Sequence, residues 1–274
     1  MIAVCKQPSC ANCSTGLARA CANMEGMGDT WRDTSGKRLV DYPRPSLAVD
    51  VAVLTVLPGA ETSPRAGTLQ PGGLAVLVHR RAPEPPSGRP GSGTPGEWSL
   101  PGTFLHEGER LADAVVRVLR DKVGIAGVTS HQLRVFDDPA RDPRGWVVSV
   151  AHAVVVPNDA LVAMLAGRDD VVVRPLPHHP GGVADAVADL AFDHQEIVAE
   201  AVRDLRALYE EYPDPLGLLP EPFTLLQLRL LHEAILGEAL QKDTFRRRME
   251  PHLHATDQMA EGIVGRPARL FHRM

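Results

Sequence analysis

The chain has 274 residues, 44% of them hydrophobic and 23% charged, with a formal net charge of −5. That length allows more than one compact unit, since single domains run to roughly 100–200 residues. The acidic balance excludes a protein coated in nucleic acid but leaves room for a local DNA site. No apolar run approaches the ~20 residues of a membrane span. The N-terminus lacks the apolar core of a signal peptide, so a cytoplasmic location with no membrane partner is expected.

Residues 1–45 read as a disordered leader, closing on Asp41-Tyr42-Pro43-Arg44-Pro45, whose prolines favour extended chain. All four cysteines, Cys5, Cys10, Cys13 and Cys21, lie here, and Cys10 and Cys13 have zinc-like spacing. The segment is small, polar and aperiodic, and Met24 and Met27 are alternative starts. No metal site is therefore expected from the cysteines.

From Ser46 to about Leu208 strand-like and helical patterns alternate. Val49–Leu57 and Leu74–Val78 are β-branched runs of strand length. Residues 82–96 hold five prolines and four glycines and mark a surface loop. Trp98–Leu105 follows as a strand, then a helix from about Leu111 to Lys122, closed by Gly124. Trp146–Val156 predicts another strand, and Ala184–Tyr209 a largely helical stretch. Residues 211–222 contain four prolines and read as an interdomain linker before a terminal unit at 223–274.

The segment Gly102–Ile125 resembles the Nudix box, a loop–helix–loop. Glu109 falls on the first glutamate of that pattern and Arg117 on its arginine, while Leu119, Gly124 and Ile125 match the rest of the frame. The departures fall on the chemistry. The glutamate after the arginine is Val118, and the Glu-Glu pair is Asp121-Lys122. Positions 118, 121 and 122 are three and four apart and would share a helix face. In active members of the family that face gathers carboxylates around Mg²⁺, which neutralises pyrophosphate and activates water. With one ligand apolar and one cationic, no cofactor is expected beyond weak Mg²⁺ at Glu109 and Asp121. Lys122 and nearby arginines would instead bind a pyrophosphate without cleaving it.

Two further stretches, Asp137–Ala151 and Leu190–His194, resemble ADP-ribose pyrophosphatases and Nudix-related transcriptional regulators. Arg141 and Arg144 offer planar forks for phosphate. The expected ligand residues are Glu109, Arg117, Asp121, Lys122, Arg141 and Arg144. Trp98 is a candidate base platform, although a buried strand tryptophan is the commoner outcome. His194 fits a packing or capping role better than a ligand role.

In the terminal unit, Thr224 is a plausible N-cap for a helix carrying Leu225, Leu228, Leu231 and Ile235 and ending at Gly237. A second helix starts near Asp243 or Thr244 and carries Arg246, Arg247 and Arg248. Three consecutive arginines at about 100° per residue cannot all face a core. Gly265–Phe271 reads as a turn and strand. Helix, turn, basic helix and basic hairpin is the layout of a winged helix-turn-helix. Between Glu221 and Met274 eight Lys and Arg face seven Asp and Glu, so the clustering carries the DNA reading rather than the net charge.

Phe223-Thr224-Leu225, Ala234–Gly237, Phe245–Arg247 and Gly265–Phe271 resemble, in order, the C-terminal domain of the NrtR family, Nudix-related repressors of NAD metabolism. The resemblance covers about residues 46–274. It implies an α+β chain: a mixed-sheet α/β/α Nudix sandwich at 46–210, the linker, then a winged helix-turn-helix. It also implies a homodimeric repressor, double-stranded operator DNA as partner, and ADP-ribose or a related nucleotide as effector. Thr244, Arg246, Arg247 and Arg248 would serve the recognition helix, and Arg266 and Arg269 the wing. The alternatives are a weak Mg²⁺-dependent ADP-ribose pyrophosphatase resting on Glu109 and Asp121, and an interaction module built on an inert Nudix fold.

Overall fold

The computed structural model describes residues 31–59, 61–62, 68–69, 72–81, 97–179, 182–260 and 267–274. The chain divides into two compact units at Pro45. In the first, Asp33 closes a turn by accepting the Ser35 and Lys37 amides at 2.8 and 2.9 Å and the Tyr42 hydroxyl. One 3₁₀ turn follows at Leu39–Asp41, fastened by the Arg38 amide to Asp41. The extended chain expected there is thus limited to the residues around Pro43 and Pro45. The rest of the leader, with its four cysteines, lies outside the described residues.

The second unit is built on β1 (Ser46–Val56), in which eight consecutive residues, 48–55, are buried. Burial of every residue means that the strand is covered on both faces. It pairs in parallel with β8 (Val147–Val155). It pairs antiparallel with β4 (Leu74–Arg80) along its second half and with β6 (Gly102–Phe104) along its first. β5 (Trp98–Ser99) and β9 (Val171–Pro175) add to β4, and β7 (His131–Phe136) to β8, giving seven strands. β2 (Glu61–Thr62) and β3 (Thr68–Leu69) form a separate small ladder.

The period of two along β1 sorts its side chains between two cores. Val49, Val51 and Val53 face α1 (Leu111–Val118) and α2 (Asn158–Met164). Ala52 and Leu54 face α3 (His194–Glu211), packing with Ile197, Val198, Val202 and Leu205. The result is an α/β/α sandwich around a mixed sheet. At ~1.5–3 kcal/mol for each fully buried Val, Leu or Ile, these two layers dominate its stability.

Three elements depart from the sequence reading, each for a local reason. The strand expected over 98–105 is two strands with different neighbours, divided at Leu100-Pro101; proline has no N–H to donate. The helix expected from Leu111 to Lys122 is α-helical only to Val118 and continues as one π-turn over Leu119–Val123. Gly124 ends it at φ +73°. The helix expected from Ala184 starts at His194, after a separate 3₁₀ turn at Asp185–Val187. Phe192 holds φ +60° between them, which no α-helix accommodates.

The terminal unit runs β10 (Phe223–Thr224), α4 (Leu225–Leu236), α5 (Lys242–Met249), β11 (Leu253–Met259) and β12 (Arg269–Arg273). Its strands form a sheet in the order β10-β12-β11. Thr224 caps α4 through a reciprocal pair with Gln227, and Gly237 closes it at φ +77°. α5 opens at Lys242, slightly earlier than expected, because the Gln241 side chain accepts the Thr244 amide at 2.6 Å. Phe223, Leu228, Phe245, Met249, Leu253 and Phe271 form its core. Helices α4 and α5 with the β11–β12 hairpin make a winged helix-turn-helix.

This unit is fused to the sandwich. Leu231 and Ile235 of α4 belong to the α3 side of the sandwich core. Arg206 of α3 donates to the Ile235 and His178 carbonyls at 2.9 and 3.0 Å. A Cβ at Gly237 would fall 2.0 Å from the His178 carbonyl oxygen, so only glycine permits that approach. The segment 211–222, read as a linker, begins with the last residue of α3 and is pinned by Asp214. Its fully buried carboxylate accepts from the Tyr209 hydroxyl, the Leu218 and Leu219 amides and the Arg273 guanidinium at 2.6–2.9 Å.

Candidate functional site

The first half of β1, the turn between β5 and β6, the π-turn, the loop before β8 and the start of α3 enclose a pocket of about 220 Å³. Its floor is a buried ionic network. Asp50 of β1 accepts from the Ser149 hydroxyl at 2.7 Å and from Arg141 at 3.2 Å, with His194 Nε2 3.4 Å away. Arg141, its side chain 4% exposed, also makes a two-pronged pair with Asp193 at 2.6 and 2.8 Å. The Leu100 amide donates to His194 Nδ1 at 3.0 Å, leaving the Nε2 proton for Asp50. Burial pushes the Asp50 carboxyl up, but His194, Ser149 and Arg141 outweigh it and hold the group ionised.

Cations line the walls. Arg81, Lys122 and Arg144 all face the pocket. Much of Lys122 meets solvent, yet desolvation beside the pocket, with the nearby charges of Arg81 and Arg144, lowers its ammonium pKa against the pull of Asp50. Arg144 is paired with Asp142 at 2.7 and 2.9 Å and lies 5.4 and 5.1 Å from the ring centroids of Phe104 and Phe192. Such a wall suits a phosphate-bearing ligand.

The Nudix-box residues separate rather than gather. Val118 is buried in the α1 side of the core, and Asp121 is exposed and paired with Arg120 at 2.7 Å. Of positions 118, 121 and 122, Lys122 is the one that lines the pocket. The shared face expected for the three fails because the π-turn widens the spacing just after Val118. Glu109 and Arg117 form a staple beside the pocket. Arg117 donates to both Glu109 oxygens at 2.7 and 2.8 Å, to Thr103 Oγ1 at 3.0 Å and to the Phe104 carbonyl at 2.9 Å. The guanidinium, with the His106 amide, holds the Glu109 carboxyl down at about 2.

The two box carboxylates expected to hold weak Mg²⁺ are each paired with an arginine. Both Glu109 oxygens are engaged by donors, the neighbouring box carboxylate Asp121 belongs to Arg120, and an ammonium occupies the last box position. Among the described residues no group of three or more His, Cys, Asp or Glu side chains is placed to hold a metal.

Of the residues read from the sequence, Lys122, Arg141 and Arg144 line the pocket, and His194, read as a packing or capping residue, accepts from the Leu100 amide at its floor. The sequence reading does not name Asp50, Ser149, Asp193 or the aromatic walls. Asp50 sits within an apolar run, and a lone acid there was the available signal. Trp98 does not line the pocket; its ring carries Arg80 and Arg174 at 5.0 and 5.1 Å, and Phe104 and Phe192 are the aromatic walls.

In the winged helix, Arg246, Arg247 and Arg248 are all exposed on α5, and Arg269 is exposed on β12. Arg246 pairs with Glu250 at 2.6 Å and Arg247 reaches the Asp243 carbonyl at 3.3 Å. Thr244 lies in the first turn of α5, exposed. Arg266 lies outside the described residues.

A Nudix sandwich with a cation-walled pocket, fused to a basic winged helix-turn-helix, defines a Nudix-type DNA-binding regulator. Residues 215–272 match the NrtR DNA-binding winged helix domain and residues 66–210 the NUDIX domain. The chain is 30% identical over 239 residues to the ADPR responsive transcriptional repressor NtrR of Acinetobacter baylyi, spanning 84% of this chain and 83% of that one. It is also 30% identical to Shewanella oneidensis NrtR, solved in complex with a 27mer DNA. That match has a TM-score of 0.62 and covers 83% of this chain and 93% of the other. A shorter similarity, 31% over 108 residues, links it to an ADP-ribose pyrophosphatase of Methanocaldococcus jannaschii, covering 39% of this chain and 59% of that one. The chain belongs to the NrtR family of Nudix-related transcriptional regulators.

No helix among the described residues is long and apolar enough to cross a membrane.

Proposed function

We propose that the chain is a cytoplasmic, homodimeric transcriptional repressor of NAD or ADP-ribose-related genes, whose Nudix pocket binds ADP-ribose without hydrolysing it. Lys122 carries this reading: the last acidic position of the Nudix box holds an ammonium that lines the pocket among Arg81 and Arg144. Fixed cations neutralise a pyrophosphate as a metal would, but they supply no metal-bound hydroxide to attack it. The ADP-ribose pyrophosphatase likeness supports a shared ligand, and the ADPR-responsive repressor likeness supports its use as a signal.

Helix α3 supplies a route from pocket to operator. Its first residue, His194, contacts the Asp50 network, and its 18 residues span about 27 Å. Near its far end Arg206 holds the Ile235 carbonyl. Tyr209 meets the His232 ring at 5.2 Å, and His232 meets Phe245 of α5 at 5.1 Å. A ligand that binds better to one setting of α3 would therefore bias the tilt of the arginine-bearing helix. Two winged helices related by a two-fold axis would read a pseudo-palindromic operator, with Arg246, Arg247 and Arg248 in the major groove and Arg266 and Arg269 on the wing.

The test is a gel-shift of the upstream regions of its own and neighbouring genes, titrated with ADP-ribose. Salt-sensitive binding that ADP-ribose releases is the expected result. DNA binding indifferent to ADP-ribose would overturn the sensing half, and no DNA binding would overturn the regulator.

A further inference from the structure

The turn between α4 and α5 decides how the arginine-bearing helix is presented. Gly237 closes α4, and Glu238 and Ala239 are exposed. The fixed point is Leu240, one residue before Gln241, whose side chain caps α5. Its side chain packs against the core that holds Phe245. Its backbone is gripped from α4 on both polar groups. The Leu240 amide donates to Glu233 Oε1 at 2.9 Å, and the Leu240 carbonyl accepts from Arg229 at 3.3 Å. Arg229 and Glu233, one turn apart on α4, pair through that same Oε1 and so close a clamp.

This is not a surface ion pair. The Glu233 side chain is 5% exposed and that of Arg229 24%. Two apolar side chains in their place would avoid the desolvation that buried charges carry, so the pair is poor evidence of added stability. What it does supply is geometry, since one oxygen shared by two donors fixes Leu240 against α4. The neighbouring residues of α4 reach the other way: His232 meets the Tyr209 ring, and the Ile235 carbonyl accepts from Arg206 of α3. Helix α4 is thus held to α3 on one side and, through the clamp, to the start of α5 on the other. We propose that Arg229 and Glu233 are positioning residues for operator recognition, setting the angle at which α5 presents Arg246, Arg247 and Arg248. Charge attraction to phosphates tolerates a tilted helix, whereas hydrogen bonds to base edges weaken steeply with misalignment. Loss of the clamp therefore costs discrimination between operator and random DNA more than it costs DNA binding at large. The proposal rests on the reading of the terminal unit as operator-binding and adds what orients its reading helix.

The test uses the full chain with Glu233→Gln, with Arg229→Met, and with Arg229→Met and Glu233→Leu together. Two duplexes serve as probes: the upstream fragment that the parent retains in the gel-shift, and a scrambled duplex of the same length and composition. Thermal melts check folding; the double variant leaves no charge buried alone and should melt close to the parent. Glu233→Gln and the double variant should each weaken binding to the upstream fragment by about 10-fold, while binding to the scrambled duplex stays within about threefold. A merely structural role would leave that ratio unmoved in the folded protein. If both variants keep the parent's preference for the upstream fragment, the clamp is overturned while the DNA-binding reading stands. Arg229 also lines a groove with Lys242 and Arg246. If Arg229→Met alone weakens both duplexes equally and flattens the salt dependence by about one charge, Arg229 is a phosphate contact and the clamp is again overturned. A parent that does not distinguish the two duplexes would take the operator reading down with it.

Discussion

His232 makes the stability of the fold fall as the medium is acidified. The residue is fully buried between Tyr209 and Phe245, and neither ring nitrogen has a hydrogen-bond partner of ordinary geometry. Burial holds its imidazole at about 4, against an ordinary 6.5. Above pH 6.5 folded and unfolded chains are both neutral at this residue. As the pH falls below 6.5 the unfolded chain takes a proton that the folded chain refuses until about pH 4. Stability is therefore lost across that window, at 1.36 kcal/mol per unit, or about 3 kcal/mol in all. Roughly half is gone near pH 5. His79, buried on β4, is likewise held at about 4 and adds a similar loss. His232→Phe keeps a flat ring in the same edge contacts and forfeits no hydrogen bond. It should cost under about 1 kcal/mol at pH 7.5, or stabilise. Urea denaturation of both chains at several pH values between 7.5 and 4.5 is the assay. The variant should fall less steeply by about 2–3 kcal/mol. Parallel curves for the two chains would refute the burial argument.

Asp214→Asn should destabilise by about 2–4 kcal/mol, since the amide turns donors toward the Leu219 amide and Arg273 while tolerating φ +48°. A thermal midpoint within about 1 °C of the parent would show that the 212–222 segment is not held by this carboxylate. Asp50→Asn leaves one amide oxygen to accept from Ser149 and Arg141 but removes the negative charge and turns an NH₂ donor toward His194. Because Arg141 keeps Asp193, the cost should be about 2–3 kcal/mol rather than the larger penalty of an orphaned charge, measured by chemical denaturation. Arg246→Ala should weaken operator binding and lower the slope of log affinity against log salt by about 1 if the arginine meets a phosphate. ADP-ribose binding should be unchanged, and loss of both functions would point to misfolding.

The elements with a strong period were legible. β1, β4 and β8 announce themselves as β-branched runs, and Thr224 and Gly237 bracket α4 as capping chemistry requires. β7 was hidden because, as a largely exposed edge strand, it carries Gln and Arg where a core strand would alternate. The π-turn was hidden because Leu119–Val123 is sequence that an α-helix accepts equally well; it redirects Val118, Asp121 and Lys122 all the same. Lys122 and the two loop arginines could be named from charge and position. The floor could not. Asp50, Ser149 and the adjacent pair Asp193-His194 come from three separate segments, brought together by the register of β1 with β8 and by the bonds of Asp193 to Arg141 and of His194 to the Leu100 amide. Arg141 has the expected fork geometry, but that fork faces Asp193 and Asp50 rather than a ligand.

The central claim is that this Nudix pocket holds its nucleotide and does not cut it. Phosphorus NMR of ADP-ribose mixed with the full chain, first without and then with Mg²⁺, reads both halves at once. The pyrophosphate resonances should shift on binding in either condition, and the ligand should remain intact over hours. Accumulation of AMP and ribose 5-phosphate beyond one equivalent of protein, or resonances that never move, would contradict it.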